Sequence, residues 1–169
     1  MRVSDSAVSK SDDLSSYLND HLAGSVGALE LLDRLIETYE GKPLERFFRD
    51  LRGDIQRDQE KLQELIRELG EEESAVRKAG AWVVEKFSRA KISLSDSRAG
   101  EMGLFLALES LVLGITGKQS LWRALAAASA TMPQLGRLDY SELEKRAEAQ
   151  RDQVEAKRLE IARDIFQPD

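Results

Sequence analysis

Apolar side chains recur along most of the chain at the three- and four-residue spacing that is typical of α-helices. The first of these stretches predicts a helix over residues 12–39, and the second predicts one over residues 43–69. The link between them carries Gly41, where a helix would end, and Pro43, where the next would begin. Because a link this short leaves no room to turn outward, the two helices are expected to lie antiparallel.

The second half of the chain predicts three more helices. Residues 74–90 form a short amphipathic helix, and residues 98–128 form a long one that is apolar almost all round. The last helix begins at Asp139 or Ser141 and ends at Phe166, with Ser141 and Glu144 as a capping box. The prediction is an all-α, ferritin-like four-helix bundle with a short helical crossover between helices 2 and 3; a plain up-and-down five-helix bundle is the alternative.

The beginning of the chain differs from the rest in having no apolar run. Residues 1–13 are rich in serine and aspartate, so residues 1–11 are expected to form a disordered tail and not a signal peptide. Ser11 then serves as the N-cap of the first helix. Residues 12–166 are expected to form a single helical-bundle domain, because 169 residues is an ordinary size for one domain.

Composition removes several classes of function. The net charge is −6, and lysine and arginine alternate with aspartate and glutamate, so no nucleic-acid partner is expected. The chain contains no cysteine, which excludes disulfides and thiol chemistry and favours a cytoplasmic location. Residues 102–117 are mostly apolar, but they are too short to span a bilayer and contain Glu109, so a buried core helix is expected and no membrane partner.

Polar side chains on the inner helix faces are the candidates for chemistry. In helix 1 the candidate is His21, the only histidine of the chain, and in helix 2 it is Asp58. The short link predicts a register in which His21 faces Lys61, with Asp58 within one turn. A buried His21–Asp58 pair is therefore expected.

Two more polar residues interrupt the inner stripes of the last two long helices. Lys118 stands in helix 3 and Gln150 in helix 4, and both fall near the middle of the bundle if helices 2 and 3 are parallel. The sequence thus predicts a buried polar layer made of His21, Asp58, Lys118 and Gln150. No catalytic residue is assigned, because a lone histidine in a helix completes no nucleophilic triad and no strand precedes a phosphate-binding loop.

The segments LNDHLAG (residues 18–24) and GKQSLWRAL (residues 117–125), together with the helix layout, resemble an uncharacterised bacterial branch of the ferritin-like superfamily. The resemblance covers about residues 12–166. It implies a di-iron site built from a Glu on each of two helices and a Glu-x-x-His motif on each of the other two. This chain has one histidine, and the windows at residues 58–61 and 148–151 end in Lys61 and Arg151 instead of histidine.

Two functions follow from this comparison. The first is a structural or interaction role without a cofactor, and without enzyme activity. The second is a metal-binding oxidoreductase or metal-storage relative with non-standard ligands, for which the candidates are His21, Asp54, Asp58 and Glu109.

A seam of small residues runs along helix 3 at alternating spacings of four and three. It consists of Gly103, Ala107, Ser110, Gly114 and Gly117. Such a seam favours either tight packing within the chain or a homodimer contact, and Trp82 and Phe87 add a wide apolar face to the short helix. A homodimer is expected, because a large apolar face is rarely left exposed on a monomer.

Overall fold

The computed structural model describes the backbone of residues 4–70 and 98–167 and the side chains of residues 12–70 and 100–167. Within these ranges the chain forms four α-helices and one short 3-10 helix, and no strand. The helices are α1 (Ser4–Thr38), α2 (Pro43–Glu68), α3 (Arg98–Ser129) and α4 (Tyr140–Ile165), and the 3-10 helix is Pro133–Leu135. The all-α prediction is confirmed. The short helix predicted at residues 74–90, with Trp82 and Phe87, lies outside the described residues.

Glycine and proline set the ends of the first two helices. Gly41 has φ 74° and Gly70 has φ 72°, which is the left-handed region where a side chain would be strained. Pro43 opens α2 at a position whose N–H needs no partner within the helix. The N–H of Gly41 donates instead to Oε2 of Glu45 at 2.7 Å, and this contact fixes the turn against the first turn of α2.

The predicted start of the first helix was wrong, and so were two predicted helix caps. α1 begins at Ser4 and not near residue 12, so the segment predicted as a disordered tail is helical from Ser4 and Ser11 does not cap the helix. Adding a turn to an existing helix is far easier than nucleating a new one, even with serine and aspartate. At α4 the N-cap is Asp139, whose carboxylate accepts from the N–H of Glu142 at 3.0 Å. The predicted Ser141–Glu144 capping box therefore lies two positions too late.

Contacts between side chains give the directions of the helices. Arg52 binds Asp33 and Gln59 binds Ser25, so α1 and α2 are antiparallel. Likewise Arg123 binds Glu144 near the end of α3, and the middle of α3 meets the middle of α4, so this pair is antiparallel too.

The end of α2 lies beside the start of α4. Glu68 is 3.8 Å from Arg137, just before α4, while Asp58 meets Gln150 further along. α2 and α4 are therefore antiparallel. Since α3 is also antiparallel to α4, α2 and α3 point the same way, and Gly70 and Arg98 stand at opposite ends of the helices.

All four helices contribute to one apolar core. Its largest fully buried side chains come from α1, α2 and α3 and include Leu18, Leu22, Leu35, Phe48, Leu65, Leu108 and Trp122, and α4 adds Ala147 and Val154. The α3–α4 connection is tied to the same core, because Leu135 is fully buried and its carbonyl accepts from the hydroxyl of Tyr140 at 2.6 Å. The apolar faces of the helices thus meet in the core, as the spacing of the apolar residues predicts.

α3 combines a buried face with an exposed apolar one. Among the described helices it is the one that is long and apolar enough to cross a membrane, over Gly100–Ser129, with mean hydropathy 1.3 and 44% of the most apolar window buried. This is weak evidence for a span, because the core helix of a soluble bundle meets the same criteria. The inner face of the helix packs in the core described above, through Leu104, Leu108 and Leu111.

Candidate functional site

Asp58 stands at the centre of the polar layer. It lies on the buried face of α2, one turn from Ile55 and one turn from Leu62, and its side chain is 0% exposed. A carboxylate removed from water in this way is unfavourable unless other groups replace the lost hydration. The surrounding helices supply those groups from α3 and α4.

Lys118 of α3 provides the first partner. Its Nζ donates to Oδ2 of Asp58 at 2.6 Å and also contacts Oε1 of Gln150, while the lysine side chain is only 14% exposed. The ammonium group therefore lies between one oxygen from α2 and one from α4. Ile115 and Trp122, buried on the same face of α3, flank the position at helical spacing.

α4 provides the other two partners, four residues apart on one face. Nε2 of Gln150 donates to Oδ2 of Asp58 at 3.0 Å. Nη2 of Arg146 lies 2.8 Å from Oδ1 of Asp58, close enough for an ion pair, although Oδ1 accepts no hydrogen bond from the described residues. Arg146 is 30% exposed, so its guanidinium reaches the layer from the rim of the bundle.

The electrostatics of the layer are set mainly by burial. Burial lowers the pKa of Lys118, and the charge and hydrogen bond of Asp58 act against that shift. The charge of Arg146 lowers the same pKa further, and that of Asp54 raises it. Burial thus outweighs the attraction of Asp58 for Lys118, and the clearest physical effect of the layer is to dictate which helix positions meet.

His21 does not join this layer, so the predicted His21–Asp58 pair was wrong. The ring of His21 is half-buried and packs edge-on against Tyr17, with ring centroids 4.7 Å apart. Burial lowers the pKa of His21, and the charge of Asp20 acts in the opposite direction. The partners of Asp58 are Lys118, Gln150 and Arg146.

The register of the first two helices explains the difference. Gln59 donates to Ser25 at 2.8 Å, where the predicted register would bring Arg57 opposite Ser25. The contact between Arg52 and Asp33 is displaced in the same direction. Asp58 therefore lies more than one helical turn from the level of His21. The short Gly41–Pro43 link gives the direction of the helices but not the offset, which side-chain packing decides.

The other proposed metal ligands are also separated. Asp54 pairs with Arg57, one turn along its own helix. Glu109 on α3 accepts from Nη1 of Arg158 at 3.1 Å. Arg158 in turn binds Glu155. The four proposed ligands thus take part in four separate contacts. They are His21, Asp54, Asp58 and Glu109.

These residues do not fit a metal centre. In the side chains that the structure describes, no group of three histidine, aspartate or glutamate residues could hold a metal ion. The middle of the bundle offers one carboxylate and one amide oxygen, and it already contains the ammonium of Lys118 and the guanidinium of Arg146 nearby. A divalent cation placed there would be repelled by both, at the distances over which buried charges interact strongly.

Three members of the polar interior were not predicted from the sequence, namely Arg146, Gln119 and Asn19, the last of which is 6% exposed. Arg146 lies one turn before Gln150 on the same face of α4, and this spacing could have identified it. Gln119 is 4% exposed and its Oε1 accepts from Nη1 of Arg151 at 3.0 Å, forming a second polar link between α3 and α4. Charged residues are so frequent in α4 that the sequence pattern does not show which of them turn inward.

The small-residue seam of α3 faces two environments. Gly103 and Ala107 are buried, as expected for close packing within the chain. Gly114 is exposed and Gly117 is half-buried, and a Cβ atom added at either would meet nothing within 4 Å. The second half of the seam is therefore not packed closely by the described residues.

The chain matches no protein-family model, no curated protein and no solved structure.

Proposed function

We propose that this protein is a ferritin-like four-helix bundle of the bacterial type that its sequence resembles, with an internal ion-pair layer in place of a metal centre. In this proposal it has a structural or interaction role and no enzyme activity. The antiparallel α1–α2 and α3–α4 pairs, with α2 and α3 pointing the same way, support the ferritin-like assignment. A helical crossover between Gly70 and Arg98 belongs to this proposal.

The observation that carries the proposal is the position of the Lys118 ammonium. It is held between Asp58 and Gln150, mid-way along the helices that would bear metal ligands in a di-iron relative. A tethered ammonium stays beside the buried carboxylate because it is covalently attached, whereas a metal ion could leave or change oxidation state. The layer can thus fix the helix register but offers no open coordination position for a substrate.

Surface properties support a role in binding. Charged side chains cover most of α2 and α4, largely as ion pairs within one helix such as Arg49–Glu45 and Lys61–Glu64. Such pairs keep a helix solvated and contribute little stability. The outer face of α3 is different, because it carries fewer charged side chains and exposes Leu113. We place the protein in the cytoplasm, for which the absence of cysteine is the supporting observation.

Metal uptake tests the proposal. Protein purified without a histidine tag is incubated anaerobically with Fe(II), desalted and analysed for its metal content. We expect well under one ion per chain, and a thermal unfolding midpoint that EDTA leaves unchanged. Two iron ions per chain, with the absorption of an oxo-bridged pair after exposure to air, would contradict the proposal.

The variant Glu109→Gln serves as the control. Glu109 is the α3 carboxylate that a ferritin-like site would use, yet here it binds Arg158. Any iron bound weakly at the surface should be unaffected by the substitution. Iron that is lost with Glu109 would indicate a true metal centre.

A further inference from the structure

A regular stripe of apolar and small residues follows the outer face of α3. Successive members are four, three, four, three and four residues apart, the spacing of a helix–helix seam. They are Leu106, Ser110, Leu113, Gly117, Ser120 and Ala124. The stripe spans about 27 Å at 1.5 Å per residue. It is called the outer seam below.

The outer seam is accessible at its centre. Leu113 is 67% exposed, the highest value for a large apolar side chain in the described part of the chain. Ser120 and Ala124 are also exposed. One turn from Leu113, a Cβ atom at Gly117 would meet nothing within 4 Å, so the backbone there forms an open notch. A projecting leucine thus stands beside an empty recess.

The polar groups of the outer seam are already satisfied. The hydroxyl of Ser110 donates to the carbonyl of Leu106 at 2.9 Å, and that of Ser120 donates to the carbonyl of Thr116 at 3.1 Å. The seam itself contains no charged residue. It could therefore be covered by another apolar surface without leaving a hydrogen-bonding group unpaired.

We propose that a second copy of this chain covers the outer seam, with the two α3 helices antiparallel about a two-fold axis at the level of Ile115. In this arrangement Leu113 of each copy lies opposite Gly117 of the other. Leu106 of each copy likewise lies opposite Ala124 of the other. Each large side chain thus meets a small one, which is the complementarity that a two-fold contact requires of a single surface.

The same axis brings Ser110 of each copy opposite Ser120 of the other, so the middle layers pair small with small. The order of the residues favours a second copy over an unrelated partner. Both leucines lie in the first half of the seam, and the second half contains only small residues. The stripe therefore matches itself when its direction is reversed. The net charge of −6 on each chain opposes association elsewhere, but it does not act through this uncharged stripe.

This inference deepens the proposed interaction role by naming the partner, and the two can fail separately. A monomer that takes up no iron would overturn the dimer and leave the metal-free bundle intact. A dimer that binds two iron ions per chain would do the reverse. The dimer is therefore tested by mass and by cross-linking, without reference to metal.

Light scattering gives the first test. At micromolar concentration we expect twice the 19.0 kDa mass of one chain. Leu113→Lys places two unpaired charges in the contact and should weaken it by roughly a hundredfold or more. The control is Met132→Lys, because Met132 is an exposed apolar residue beyond the end of the seam. A monomeric wild type, or a Leu113→Lys variant as dimeric as the control, would overturn the proposal.

Cysteine cross-linking tests the register, and it is free of background because the chain has no cysteine. In the double variant Ser110→Cys/Ser120→Cys the two thiols of one chain lie about 15 Å apart, too far for a disulfide. Across the proposed axis they face each other, so mild oxidation should give a covalent dimer. Either single variant should remain uncross-linked. Cross-linking of a single variant, or none in the double variant, would overturn the proposed contact.

Discussion

Two polar residues point toward the interior of the bundle, and the structure treats them differently. Asp58 is completely buried and is met by a lysine, an arginine and an amide from two other helices. His21 is half-buried and rests against Tyr17 of its own helix. Both lie on apolar stripes, so their positions in the sequence gave no reason to separate them.

The difference shows what a buried polar group requires. A charged carboxylate is costly to bury unless cations or hydrogen-bond donors replace its hydration, and the long side chains of Lys118 and Arg146 reach Asp58. An imidazole can lose its proton instead. His21 therefore remains in a partly apolar setting without a charged partner from another of the described helices, and burial lowers its pKa.

The largest effect should come from removing the carboxylate of Asp58. Asp58→Ala leaves the Lys118 ammonium buried without its counter-ion and should lower the free energy of unfolding by about 3–5 kcal/mol. Chemical denaturation followed by circular dichroism measures this loss. Asp50→Ala is the matched control, because Asp50 is exposed on the same helix and lies beside the exposed Arg46. The control should lose about 0.5 kcal/mol or less; equal losses would mean that burial of Asp58 adds nothing.

Removing the lysine should be less damaging. Lys118→Met keeps the aliphatic stem, and Asp58 retains Arg146 and Gln150. The free energy of unfolding should fall by about 1–3 kcal/mol, the usual result of leaving a buried polar group partly unsatisfied. A variant as unstable as Asp58→Ala would show that Arg146 and Gln150 do not support the carboxylate.

Replacing both charges together should restore most of the loss. Asp58→Leu/Lys118→Met/Gln150→Leu also removes the buried amide that bonds both charges, so the buried part of the layer becomes apolar. Such replacements of buried ion pairs are often neutral or stabilising, and we expect stability within about 1 kcal/mol of the wild type, or above it. A triple variant less stable than Asp58→Ala would mean that the ion pair itself provides a large net stabilisation.

The smallest effect concerns the pH dependence that His21 produces. Because the folded pKa lies below 6.5, the unfolded chain binds the proton first as pH falls. Stability should therefore decrease as pH falls through 6.5 and level off below the folded pKa. His21→Gln should remove that part of the slope. A slope of opposite sign would indicate that His21 gains an anionic partner in the folded protein.

The helices and most of the polar layer could be predicted, and the pairing could not. Periodicity places Asp58, Lys118 and Gln150 on inner faces because each replaces an apolar residue in a regular stripe. Whether His21 reaches the level of Asp58 depends on an offset of two or three residues between α1 and α2. That offset comes from packing across the core and leaves no mark in either helix alone.

Arg146 shows a second limit of the sequence. On a helix as charged as α4, an arginine that turns inward has the same neighbours in sequence as one that turns outward. Its inward orientation depends on its ion pair with the buried Asp58, which lies on another helix. The start of α1 failed for a local reason, since a serine next to aspartates caps a helix in one context and continues it in another.

A pair of double-mutant cycles at neutral pH tests the central claim most directly. One combines Asp58→Ala with Lys118→Ala, and the other combines Asp58→Ala with His21→Ala. We expect a coupling energy of about 1–3 kcal/mol between Asp58 and Lys118 in the first cycle. In the second cycle we expect the losses at Asp58 and His21 to be additive within about 0.5 kcal/mol. Coupling between Asp58 and His21, with additive losses at Asp58 and Lys118, would contradict the internal ion-pair layer.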